Sequence, residues 1–180
     1  MKPDTHRTRL SQAEGLGHET RAELGDHVAL KLWLRLLATT TQVEDQIRRR
    51  LRQRFGISLP RFDYLAQLHR QPQGLKMKEL SSRLMVTGGN VTGLTDELER
   101  EGLVLRMASP TDRRSWIVQL TAAGRSGFEA MAAEHESWIL ELFAGLDAKA
   151  LSQLHAQLGV LRVHLSQLPT PRPETTHEPA

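Results

Sequence analysis

The stretch from Lys76 to Thr121 constrains this chain more than any other. It reads KMKELSSRLMV, a Thr-Gly-Gly break, NVTGLTDELEREG, then LVLRM, the polar run ASPTDRRS and WIVQLT. Met77, Leu80 and Leu84 recur at steps of three and four, which gives a short helix one apolar stripe and leaves Lys76, Lys78 and Arg83 outside it. Val91, Leu94 and Leu98 repeat those steps in a second helix, so Asn90, Thr92, Gly93, Thr95, Asp96 and Arg100 are expected on the faces away from the core. Thr87 suits an N-cap, because its hydroxyl can accept from a free backbone N–H of the first turn. Gly102 supplies the left-handed residue that ends the helix. Two β-prone runs, Leu103 to Met107 and Trp116 to Leu120, flank a turn long enough to project. A helix-turn-helix followed by a basic hairpin is a winged helix, a DNA-reading element.

A helix entering a major groove must bring side chains to base edges and its backbone near the sugar-phosphate wall. Thr87, Gly88, Gly89, Asn90, Thr92, Gly93 and Thr95 meet that demand with small or hydrogen-bonding groups. Gly88 and Gly89 serve equally well as turn residues. Gly93 costs a helix interior roughly 1 kcal/mol against alanine and asks for a compensating reason. At the hairpin tip, Arg113 and Arg114 can place a guanidinium in a minor groove while Asp112 fixes its neighbour's direction. A solvated surface charge pair is the plainer reading of the same residues.

The run Leu80-Ser81-Ser82-Arg83-Leu84, then Asn90-Val91-Thr92, Leu98-Glu99-Arg100-Glu101-Gly102-Leu103-Val104, and above all Asp112-Arg113-Arg114 followed by Leu120-Thr121 and Gly124, resembles the MarR family of bacterial transcriptional regulators. The similarity extends over roughly residues 28 to 168. It implies a homodimeric winged-helix protein on a palindromic operator, usually a repressor released by a small ligand. It also implies that Asn90, Thr92 and their neighbours face bases and that Arg114 is the wing residue held by Asp112. Many relatives carry a long basic residue where this chain has Gly93, which puts one family contact in doubt. The resemblance further implies an effector pocket between dimerisation helices and the DNA-binding lobe. Trp33, Arg35, Leu37, Phe62, Tyr64 and Leu65 are its candidates, offering aromatic walls and a cation for a carboxylate, with ordinary hinge core as the alternative. Such a pocket suits a small aromatic carboxylate, and the arginine group of the first helix, together with similarity of residues 30–41 and 84–92 to regulators of phenolic-acid catabolism, also allows its coenzyme A thioester, whose phosphates the arginines could meet.

Charge follows the same division. Residues 44 to 114 hold 14 Lys/Arg and 9 Asp/Glu, net +5, whereas the rest of the chain is net −2, the distribution expected of phosphate contact. With no cysteine in its 180 residues, the chain has neither disulfides nor a thiol sensor. No long apolar run suggests a membrane span, and the leading residues lack a secretory apolar segment, so a cytoplasmic protein is expected.

The expected organisation is mainly α: a winged helix-turn-helix with long N- and C-terminal dimerisation helices. Residues 1–26 read as a flexible N-terminal arm, 27–59 and 121–168 as the helical dimerisation region, 60–120 as the winged helix, and 169–180 as a disordered tail. Within 27–55 a helical stripe ends in Arg48, Arg49, Arg50, Arg52 and Arg54, which suit the helix dipole and exceed its needs. Pro60 opens a helix whose inner stripe is Phe62, Leu65 and Leu68. Thr121 and Asp147 start the last two helices, the final one carrying Leu151, Leu154, Leu158, Leu161 and Leu165 at alternating steps of three and four. That seam asks for a helical partner, either within the chain, on the preceding helix or the long first one, or in a symmetric dimer, which would also cover the apolar excess at Val43 and Ile47.

The residues compose no phosphate loop, nucleophile elbow or paired-acid cleft, so no enzyme is expected and no cofactor. His135, His155 and His164 match no local metal-ligand spacing, so no metal is expected either. The rival function is a winged-helix protein-interaction module without a small-molecule effector, which indifference to duplex DNA would favour.

Overall fold

The computed structural model describes residues 28–109 and 115–169. The chain divides into two compact units after Trp138. The first unit begins with α1 (Val28–Phe55), a run free of Pro and Gly that stops at Gly56. Of α1 only Ile47 and Leu51 are buried, while Phe55 lies against Trp138 with ring centroids 6.2 Å apart. Val28, Leu30, Leu32, Trp33 and Leu37 of its N-terminal half are exposed.

Pro60 sits in the first turn of α2 (Leu59–His69), where a missing N–H costs nothing. The inner stripe is Phe62, Leu65 and Leu68, as its spacing predicts, and Tyr64 is fully buried with them. Gly74 then turns the chain into β1 (Leu75–Lys76), a strand the sequence reading lacks, because two residues cannot display an alternation.

The helix-turn-helix is α3 (Met77–Leu84) and α4 (Gly88–Arg100). The Lys76 backbone N–H donates to the Glu79 carboxylate at the start of α3. Its end is the left-handed Met85, and the Ser81 hydroxyl donates to the Val86 carbonyl across the turn at 2.6 Å. Thr87 caps α4 as expected, accepting from the Asn90 N–H at 3.4 Å. At the other end Gly102, at φ +71°, closes a paired motif in which Leu103 N–H donates to the Leu98 carbonyl and Gly102 N–H to the Glu99 carbonyl.

Strands β2 (Val104–Ala108) and β3 (Trp116–Leu120) pair antiparallel, with Arg106 opposite Val118, and β1 adds to the other side of β3 to give the order β1-β3-β2. Val104 and Val118 of the sheet join Leu75, Leu80, Val91 and Leu98 in the core beneath α4. Helix α5 (Ala122–Phe143) begins at Thr121, whose hydroxyl accepts from the Gly124 N–H at 2.9 Å and reaches the Gly102 carbonyl at 2.7 Å. A side chain at Gly124 would place Cβ 1.9 Å from the Leu103 carbonyl oxygen, so only glycine permits this helix to start so close to the end of α4. Phe128 and Met131 of α5 are buried, Phe128 stacking on Phe62 at 5.4 Å.

In the second unit α6 (Ala148–Gln167) is capped by the Asp147 carboxylate, which accepts from the Ala150 N–H at 2.7 Å. No residue of α6 is buried. The expected architecture, mainly helical with a winged helix between long helices, is the observed one.

Candidate nucleic-acid interface

The outer face of α4 is made by its N-terminal half. Thr87, Gly88, Gly89, Asn90, Thr92 and Gly93 are all exposed. A Cβ built on Gly88, Gly89 or Gly93 meets nothing within 4 Å, so nothing among the described residues requires their bare backbones. The Thr92 hydroxyl donates to the Gly88 carbonyl at 3.1 Å, which leaves its lone pairs free to accept from outside. The first turn adds the N–H groups of Gly88 and Gly89 and the positive end of the helix dipole, both suited to a phosphate.

Thr95 corrects one expectation. It is fully buried rather than exposed. Its hydroxyl lies 2.6 Å from the Val91 carbonyl oxygen and 2.6 Å from the Tyr64 hydroxyl, with Met77 sulfur at 3.6 Å. The buried stripe of α4 is therefore Val91, Thr95 and Leu98, and Leu94 is only half-buried. A threonine can hold a core position when the helix carbonyl one turn back and a tyrosine satisfy its hydroxyl. Burial pushes the Tyr64 phenol up to about 12, the hydrogen bond with Thr95 opposing that rise.

Arg106 was not among the sequence candidates. From β2 its guanidinium bonds the Glu99 carboxylate at 3.0 Å and the Asp96 carboxylate, and its backbone N–H donates to Glu99 at 3.1 Å. The cluster links the sheet to the outer side of α4. Between them opens a cleft of about 570 Å³ lined by Met77, Thr92, Glu99, Arg106 and Trp116. Arg106 lies seven residues from Glu99 and ten from Asp96 and on a different element, so no local spacing announces the cluster. The wing residues Asp112, Arg113 and Arg114 lie outside the described residues. Their flanks are closed by the Ser109 N–H donating to the Ser115 carbonyl at 3.0 Å.

The six effector-pocket candidates fall into two environments. Trp33 and Leu37 are exposed on α1 and Arg35 is half-buried beside them, whereas Phe62, Tyr64 and Leu65 are packed inside the winged helix. The Tyr64 hydroxyl is committed to Thr95, so it belongs to the core under α4. Behind Phe62 a polar fringe joins α2 to α5. His135 stacks on Phe62 at 5.0 Å, and His69 Nε2 lies 3.2 Å from the Glu129 carboxylate. Partial burial lowers the His135 imidazole's affinity for a proton and raises that of the Asp63 carboxyl, each offset by the other's charge. Among the described residues no group of three or more His, Cys, Asp or Glu is placed to hold a metal ion, and no helix is long and apolar enough to cross a membrane.

In α6, Leu154, Leu158 and Leu165 are exposed and Leu151 and Leu161 half-buried.

Comparison with known proteins bears on the same region. The profile described as MarR family matches residues 57–116. An uncharacterised HTH-type transcriptional regulator, YkoM of Bacillus subtilis, is 33% identical over 114 residues, 63% of this chain and 73% of that one. The structure of a MarR family transcriptional regulator from Silicibacter pomeroyi is 30% identical with a TM-score of 0.63, covering 91% of this chain and 99% of the other. The Staphylococcus aureus MepR–DNA complex is 25% identical with a TM-score of 0.62, covering 74% and 95%.

Proposed function

Since the chain belongs to the MarR family, and so to the DNA-binding transcriptional regulators, we propose that it works as a homodimeric repressor on a palindromic operator and leaves it when a small aromatic acid, or its coenzyme A thioester, binds. The carrying observation is the outer face of α4, where Asn90 and Thr92 stand among three glycines surrounded by open space. Asn90 and Thr92 read base edges, and Gly88, Gly89 and Gly93 let the backbone approach the phosphates. Arg113 and Arg114 grip beyond the recognition helix, with Asp112 directing Arg114. Thr95 has no part in this set.

Two features support the dimer: the exposed apolar half of α1, and the leucine row of α6 from Leu151 to Leu165 with nothing buried along it. Joined two-fold, such a protein must set its recognition helices roughly 34 Å apart to enter successive major grooves. An effector acts by favouring another spacing, through its different affinity for the two arrangements. Trp33, Arg35 and Leu37 provide its aromatic and cationic contacts, while Phe62 and Leu65, buried inside the winged helix, remain core like Tyr64.

Selection of duplexes from a random pool, followed by gel shifts across a salt series, tests the DNA half. Arg114→Ala is expected to weaken binding and flatten its salt dependence, and Asn90→Ala to lose sequence discrimination. Calorimetric titration with a phenolic acid and with its thioester tests the effector, and no heat from either removes it. A chain that stays monomeric at micromolar concentration and binds no duplex defeats the whole reading.

A further inference from the structure

We propose that Arg106 is a positioning residue for DNA binding, an internal counter-ion that masks two carboxylates on the outer side of the recognition helix. The proposal rests on the DNA-binding reading of α4. Thr92, Asp96 and Glu99 follow one another at steps of four and three, so they share a helix face. Thr92 and Glu99 both line the cleft beside the sheet. The row that starts with a proposed base contact therefore continues as two acids. A duplex laid against Thr92 brings its phosphates towards them, and unmasked carboxylates there repel DNA.

Arg106 is built to prevent that. Its side chain is 22% exposed, while those of Asp96 and Glu99 are 49% and 38% exposed. One guanidinium nitrogen takes Glu99 at 3.0 Å and another takes Asp96. A second lone pair of the Glu99 carboxylate is occupied by the Arg106 backbone N–H at 3.1 Å. A planar fork donating to two acids from one strand position fixes both carboxylates towards the sheet and away from the groove. It also cancels half of their charge. Lysine, a point charge on a flexible stem, can cancel the charge without holding both acids in place.

The test compares three variants on a duplex recovered from the random pool and on a mixed-sequence duplex of the same length. Arg106→Met keeps the stem and removes the cation. It is expected to weaken binding to both duplexes by at least about tenfold at low salt, because two exposed carboxylates then face the phosphates without their counter-ion. The deficit shrinks as salt rises, because the repulsion it reports is screened. Adding Asp96→Asn and Glu99→Gln to Arg106→Met is expected to restore affinity to within about threefold of wild type. Asp96→Asn with Glu99→Gln alone, which frees the guanidinium, tightens binding. Melting temperatures are recorded for each, and Arg106→Lys stands in should Arg106→Met not fold, with a smaller deficit that the same two neutralisations erase.

Three results overturn the proposal: Arg106→Met binding like wild type, a triple variant as weak as Arg106→Met, or a deficit indifferent to salt. The second would mean that Arg106 itself meets the DNA. Wild-type protein that binds neither duplex defeats the underlying reading of α4 instead, and is recognised before any variant is made.

Discussion

Replacing Thr95 by valine separates a core residue from a DNA contact. Valine keeps the shape of the side chain and removes the hydroxyl that sits 2.6 Å from both the Tyr64 hydroxyl and the Val91 carbonyl. Val91 keeps its ordinary helical bond, so little is lost there. Tyr64 is fully buried and is left without its partner, which costs about 1–3 kcal/mol against roughly 1 kcal/mol for a satisfied bond exchanged with water. We expect Thr95→Val to destabilise the protein by about 2 kcal/mol. With a urea slope of about 2 kcal/mol per molar, the unfolding midpoint falls by roughly 1 M at fixed protein concentration. Tyr64→Phe leaves Thr95 still donating to Val91 and costs less. The double variant should cost less than the two singles together, by about 1 kcal/mol of coupling. Gel-shift affinity of the folded Thr95→Val protein should match wild type at every base position. A variant of unchanged stability that has lost sequence discrimination would refute the reasoning and return Thr95 to the DNA-facing side.

Gly93→Ala puts a methyl group into open space and improves helix propensity, so it should stabilise the fold by about 0.5–1 kcal/mol while weakening duplex binding; equal affinity in a gel shift would show that the bare backbone serves no partner. Gly124→Ala should lower the melting temperature through a loss of about 1–3 kcal/mol or more, since its Cβ collides with backbone rather than with a yielding side chain. A calorimetric scan matching wild type would contradict that. The raised Tyr64 value gives a pH signature. A phenol held at about 12 when folded against an unfolded value near 10 contributes in full below pH 10 and loses that contribution as pH climbs towards 12. Wild type should therefore lose about 1.4 kcal/mol more than Tyr64→Phe between pH 8 and pH 11, read from urea midpoints, and parallel losses would count against the assignment.

The ends of elements were the most legible part of the sequence. Thr87, Gly102, Thr121 and Asp147 all act where their chemistry predicts, because a cap is a contact between neighbours three or four residues apart. Burial inside α4 was less legible. Leu94 and Thr95 are adjacent, hydrophobicity favours the leucine, and only the Tyr64 hydroxyl arriving from α2 makes the threonine the better core residue. The same blindness to distant partners hid Arg106, which reads as one strand residue among five until the α4 carboxylates are seen beside it. Strand β1 was too short to show a period, and it exists because β3 offers it an edge. The aromatic residues of α1 and α2 give composition without distance, and nothing in their order separates Tyr64, which is buried, from Trp33, which is exposed.

The junction at Thr121 has a mechanical consequence. Its backbone N–H donates to the Leu103 carbonyl, its hydroxyl reaches the Gly102 carbonyl, and Gly124 lies against Leu103 without a side chain between them. The last turn of α4 and the first turn of α5 thus share one fulcrum with no slack. Backbone atoms alone set the spacing of these two helix ends, so any side chain introduced at residue 124 must prise the start of α5 away from Leu103 before the helix can form.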